Sequence, residues 1–71
     1  MKETVGERIQ TKRKEAGMTV HRLGILADLG EGTLKQIEAD QNLPSLVSLC
    51  KITKALRIGI NEIVPEWMWR A

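Results

Sequence analysis

The sequence predicts an all-α domain, compact and built of five short helices. Every sizeable apolar pattern recurs at helical spacing, and glycine, proline, asparagine and aspartate fall between the patterns, where turns are needed. No alternating β-rich run, tandem repeat or low-complexity stretch competes with them.

The first helix starts at Thr4, an N-cap residue, and Glu7 three positions later completes a capping box. Val5, Ile9 and Ala16 share a face, with the aliphatic stem of Arg13 between them. Gly17 closes the helix, since glycine enters the left-handed conformation cheaply. Thr19 caps a second helix, Val20 to Ala27, whose inner stripe is Leu23, Leu26 and Ala27. Asp28, Leu29 and Gly30 make a tight connection. A third helix follows from Glu31 to Ala39, with Leu34 and Ile37 inward. Asp40 to Pro44 is a polar loop, and Ser45 caps the fourth helix. There Leu46, Leu49, Cys50, Thr53 and Leu56 form the clearest amphipathic pattern of the chain. Gly59 or Asn61 opens a short fifth helix that reaches about Val64, and Pro65 stops it. Residues 1–64 thus form one domain, and residues 65–71 form a tail rich in tryptophan.

At 71 residues, 42% of them hydrophobic and 28% charged, the chain suits one globular domain with a small core. Its net charge of +2 permits nucleic-acid binding without arguing for it. The single cysteine, Cys50, excludes an internal disulfide and reads as a small core residue. Met1 to Gln10 is polar and mixed in charge, unlike a signal peptide, and no apolar run approaches the roughly 20 residues that cross a bilayer. A cytoplasmic location is expected.

Enzyme chemistry finds no support in the residues. No nucleophile is paired with a base, no glycine-rich phosphate loop occurs and no metal-ligand spacing is present. His21 has no cluster of ligands and reads as a surface residue. With no Tyr or Phe near the basic residues, no stacking platform for single strands exists. No cofactor is expected.

Two short helices joined by about three residues fit a helix-turn-helix. Gly24 stands where the helices cross, Asp28 takes the turn geometry, Leu29 plugs the gap below it, and Leu34 and Ile37 anchor the second helix. These features sit among further segments: Gly6-Glu7-Arg8-Ile9, Arg13-Lys14-Glu15-Ala16-Gly17-Met18-Thr19, Thr33-Leu34-Lys35-Gln36-Ile37-Glu38, Pro44-Ser45-Leu46, Leu49, Lys51-Ile52, Lys54-Ala55-Leu56 and Asn61-Glu62-Ile63. In this order and spacing the chain resembles the Cro/repressor (XRE) family of lambda-repressor-like domains, from about Val5 to Val64. It departs from that pattern with Val at position 20 where Gln is usual, Asp28 where Gly is common, Gly30 where Ser or Thr is common, and Glu31-Gly32 where neutral or basic polar residues are usual.

The resemblance implies a sequence-specific regulator of transcription, a repressor of bacterial, phage or mobile-element origin, that binds double-stranded DNA as a homodimer. The outer face of the third helix would then meet base edges through Glu31, Gly32, Thr33, Lys35 and Gln36. Phosphate contacts are expected from Arg8, Lys12, Thr19, Val20, Arg22, Gln41 and Asn42. Arg13 and Glu38 match positions that the family uses for a structural ion pair. Ile60, Ile63, Trp67, Met68 and Trp69 offer a dimer surface, and the tail can equally fold back over the core. A different function class stays open on the same fold: a protein-interaction module, antirepressor or antitoxin-like, with weak or no DNA binding. Val20, Glu31 and the tryptophans favour it.

Overall fold

The computed structural model describes residues 3–68. Four α-helices follow one another: α1 (Val5–Glu15), α2 (Val20–Ala27), α3 (Glu31–Glu38) and α4 (Leu46–Leu56). Two single turns of 3₁₀ helix, Ile60–Glu62 and Glu66–Met68, complete the chain, and no strand occurs among the described residues.

The helix starts are set by side chains that satisfy backbone donors without a partner inside the helix. Thr4 Oγ1 accepts from Glu7 N at 3.1 Å, and Glu7 Oε1 accepts in return from Thr4 N at 3.3 Å. Thr19 Oγ1 accepts from Arg22 N at 3.0 Å, and Ser45 Oγ from Ser48 N at 3.1 Å. The ends of α2 and α4 fall on Asp28 (φ 55°) and Arg57 (φ 58°), both left-handed.

Val5, Ile9, Leu23, Ala27, Leu34, Ile37, Ile52, Leu56 and Ile63 form the core. α3 packs on α1 and α2, and α4 packs on α2. Each large apolar side chain so buried contributes about 1.5–3 kcal/mol relative to exposure.

The expected fifth helix is absent. Ile60–Glu62 is a 3₁₀ turn in which Glu62 N donates to Gly59 O and Ile63 N to Ile60 O. Gly59 and Pro65 bracket too few residues for a ladder of longer-range bonds, and only Val64 N reaches back four positions, to Ile60 O. The inner face of α4 is also turned from the expected one. It runs through Leu49, Ile52, Thr53 and Leu56, with Ile52 fully buried, so Cys50 is exposed rather than a core residue and Leu46 faces outward. Leu26, expected inward on α2, is 45% exposed because the core stripe there is Leu23, Gly24 and Ala27. Ala16, at the C-cap of α1, is exposed too.

Candidate nucleic-acid interface

The α2–α3 pair is held at its crossing by backbone proximity. A Cβ on Gly24 would lie 2.8 Å from the carbonyl oxygen of Leu29, closer than such atoms approach, so only glycine fits. Leu29 N donates to Gly24 O at 2.9 Å and its side chain packs on the core. Gly30 then takes an extended conformation as the N-cap of α3 and supplies no side-chain cap.

Three contacts fix α3 against α1. Arg13 and Glu38, 8% and 9% exposed, form a two-pronged pair: Nε donates to Oε2 at 2.8 Å and Nη2 to Oε1 at 3.0 Å. Arg13 Nη1 also donates to Met18 O at 2.8 Å, so the guanidinium ties α1, the α1–α2 turn and α3 together. Asp40, left-handed just past α3 (φ 60°), caps the start of α1: Oδ1 accepts from Gly6 N at 3.1 Å and Oδ2 from Thr4 Oγ1 at 2.5 Å. A Cβ on Gly6 would collide with the Ile37 carbonyl, so this approach too requires glycine.

With Leu34, Ile37 and Glu38 buried, the other face of α3 is exposed: Glu31, Gly32, Thr33, Lys35 and Gln36, with Ala39 beyond. Glu31 lies between two cations or donors. Its Oε1 is 3.1 Å from His21 Nδ1 on α2, and its Oε2 is 3.1 Å from Lys35 Nζ. The Lys35 bond first, and the His21 bond second, hold the Glu31 carboxyl below its ordinary pKa. Gln36 Oε1 accepts from Asn42 Nδ2 at 2.6 Å, and the Gln36 carbonyl accepts from Gln41 N at 2.9 Å. Gln41 and Asn42 therefore stand at the C-terminal end of the exposed face and His21 beside its N-terminal end, while Thr19 caps the start of α2. Val20 turns its side chain onto the core, and only its backbone N–H, unpaired within the first turn of a helix, is suited to a phosphate.

Other expected contacts lie elsewhere. Arg8 and Lys12 occupy the flank of α1 that meets the first 3₁₀ turn. Arg8 Nε is 3.3 Å from Glu3, and Lys12 Nζ is 3.5 Å from both Glu15 and Glu62. Glu62 also accepts from Gly59 N at 2.9 Å; that bond first, then Lys12, lowers its pKa. With three carboxylates around them, Arg8 and Lys12 have little attraction left for phosphate. Arg22 faces α4 rather than α3. Of the expected dimer residues, Ile63 is fully buried in the core and is thereby removed from any interface, while Ile60, Trp67 and Met68 are 43–46% exposed. Trp67 Nε1 donates to Glu3 O at 3.1 Å, which folds this part of the tail back on the N-terminal segment. Trp69 lies outside the described residues.

Sequence reasoning missed His21 as the partner of Glu31 and Asp40 as the cap of α1. Both links join residues too far apart for helical periodicity to show, ten positions in one case and 34 to 36 in the other. Among the described residues no cluster of His, Cys, Asp and Glu is placed to hold a metal ion, and no helix is long and apolar enough to cross a membrane.

The chain matches the family model described as helix-turn-helix over residues 9–63. It is 41% identical over 63 residues to the immunity repressor protein of Bacillus phage phi105, covering 89% of this chain and 44% of that one, so the chain spans less than half of that relative. Its fold is similar to that of the restriction-modification controller protein C.AhdI from Aeromonas hydrophila, with a TM-score of 0.81 and 29% identity over 83% of this chain and 89% of that one. The P22 c2 repressor protein, solved in complex with a synthetic operator, shares the fold with a TM-score of 0.83 at 24% identity, over 89% and 96% of the two chains. The chain belongs to the helix-turn-helix family, of the Cro/repressor (XRE) type.

Proposed function

We propose that this chain is a sequence-specific, double-stranded DNA-binding regulator of transcription, a repressor, that acts in the cytoplasm as a homodimer. One observation carries the reading: α3 is locked from beneath and at its ends, while its whole outer face is left to solvent. A helix so held can enter a major groove without losing order on binding. The similarity to an immunity repressor at 41% identity supports the same reading.

In this arrangement Thr33, Lys35 and Gln36 meet base edges. Gln36, steadied by Asn42, suits adenine N6 and N7, and Lys35 suits guanine O6 and N7. Glu31 accepts from the amino group of cytosine, its charge offset by Lys35 and His21. Gly32 lets the backbone come close. Thr19, the Val20 N–H, Gln41 and Asn42 bind phosphate. Ile60, Trp67 and Met68 supply the dimer surface. Half-sites then lie about 34–36 Å apart.

Selection of random duplexes followed by anisotropy titration tests the proposal. The selected sites should be twofold symmetric, and Lys35→Ala with Gln36→Ala should weaken binding at least tenfold, at about 1–3 kcal/mol per lost base contact. Negligible affinity at low salt would overturn it. A second reading, a protein-interaction module, is favoured by Val20 packing inward, which removes a side-chain phosphate ligand. It gains if the double variant keeps its DNA affinity and loses a partner.

A further inference from the structure

Among the described residues the cations other than Lys14, an exposed residue of α1 in no ion pair, fall into two groups. Arg8, Lys12, Arg13 and Lys35 each lie against a carboxylate. Among the described residues Arg22, Lys54 and Arg57 form no ion pair, and Lys51 reaches only Asp28, at 3.9 Å. These four stand around one cleft of about 710 Å³ between α2 and α4, closed by the end of α1. Its floor is apolar, with Met18, Leu26 and Ala55 among the residues that line it, and Asp28 is its one carboxylate. Leu26 is left 45% exposed there.

The cleft is separate from the α3 surface. At 3.6 residues per turn Arg22 and Leu26 share one flank of α2, while His21 and Ile25 share the flank that borders Gly30 and Glu31. Arg57 adds a second indication. It sits in the left-handed conformation at the end of α4, where glycine is the unstrained choice, and the side chain kept at that cost lines the cleft.

We infer that this cleft binds an acidic segment of a partner protein that carries apolar side chains. Carboxylates would meet Arg22, Lys51, Lys54 and Arg57, and apolar side chains would cover Leu26 and its neighbours. Charge complementarity selects the acidic partner, and the apolar floor selects a peptide over a DNA backbone, which would satisfy the cations and leave Leu26 uncovered. The inference stands independently of what α3 reads.

The test uses displayed libraries of short peptides, one rich in Glu, Asp and Leu and one neutral, selected against the full chain at low salt. Only the acidic library should yield binders, and these should carry apolar residues between the acidic ones. Two variants relieve the same backbone strain and so keep the fold, yet should act in opposite directions on the best peptide. Arg57→Gly should weaken binding about two- to fivefold, and Asp28→Gly should tighten it by a similar factor. Leu26→Glu should weaken it more than tenfold. Failure to select acidic binders overturns the inference, as do binders indifferent to both glycine variants. So does a duplex DNA that competes with the peptide and loses affinity equally on Arg57→Gly, since the cleft would then belong to phosphate.

Discussion

Every charged side chain of α3 is paired, Glu31 with His21 and Lys35, and Glu38 with Arg13, whereas the cleft behind α2 gathers cations that have almost nothing to neutralise them. The two surfaces therefore suit different tasks. Paired groups add little net field, but they fix donors and acceptors in place, which is what discrimination between bases requires. Unpaired cations attract at a distance and tolerate varied partners, at the expense of sensitivity to salt. Under the proposed function, phosphate binding would fall mainly to neutral donors, so the affinity for DNA should depend on salt less steeply than in a domain that neutralises many phosphates with Lys and Arg.

The largest expected effect comes from breaking the buried pair beneath α3. Arg13→Met leaves the Glu38 carboxylate buried without its cation and should cost about 3–5 kcal/mol in urea unfolding. The double variant Arg13→Met with Glu38→Leu should recover most of that loss, because two apolar groups replace the pair without an orphan charge. If the double variant were as unstable as the single one, the pair would be contributing through its geometry, and the contrast between fixed front and loose back would deepen. If Arg13→Met were harmless, the contrast would fail.

A smaller effect separates two glycines of the same motif. At Gly24 a methyl group meets the Leu29 carbonyl, while at Gly32 it meets open space. Gly24→Ala should therefore destabilise by about 1–3 kcal/mol through crowding. Gly32→Ala should stabilise by up to about 1 kcal/mol through helix propensity. Thermal unfolding measures both, and equal signs would refute the packing account. A Gly32→Ala protein that folds better yet binds DNA less well would place the backbone of α3 against the groove.

Much of this architecture is written in local signals. Thr4 with Glu7, Thr19 and Ser45 announce helix starts because a cap is a short-range bond. Gly24 and Leu29 are legible because the α2–α3 turn spans few residues. The limits of legibility are equally physical. The face of α4 turns on whether Ile52 or Cys50 goes inward, and both fit a helical stripe; packing against α2 decides for Ile52. Ile63 belongs to the core only once α4 brings the chain back over it. The outward residues of α3 follow from periodicity, but what steadies them does not. The Arg13–Glu38 pair, 25 positions apart, is legible only through the family resemblance, and the structure forms it, whereas Asp40, which reaches its partners on α1 across 34 and 36 positions, is not legible at all.

The smallest effect concerns acid. Glu31 and Glu62 both hold their protons less tightly in the folded chain than at the ordinary value of 4.5. A carboxyl lowered in this way stabilises the fold fully above its unfolded pKa, and the contribution fades as pH falls below about 4.5 toward the folded value. Glu31 is exposed and Glu62 only partly buried, so the gain is slight. Their anchors differ, however. Glu31 is held chiefly by side-chain bonds to Lys35 and His21, Glu62 first by the Gly59 N–H. Salt screens the attraction between mobile exposed charges more than it disturbs a bond to a fixed amide. Urea midpoints between pH 5 and pH 3 should therefore fall less in Glu31→Gln than in the parent at low salt, with the difference vanishing near 1 M salt. In Glu62→Gln the difference should persist. The reverse order would mean that the tip of α3 is fixed by something other than its two partners, and the paired character assigned to the front of the molecule would rest on Glu38 alone.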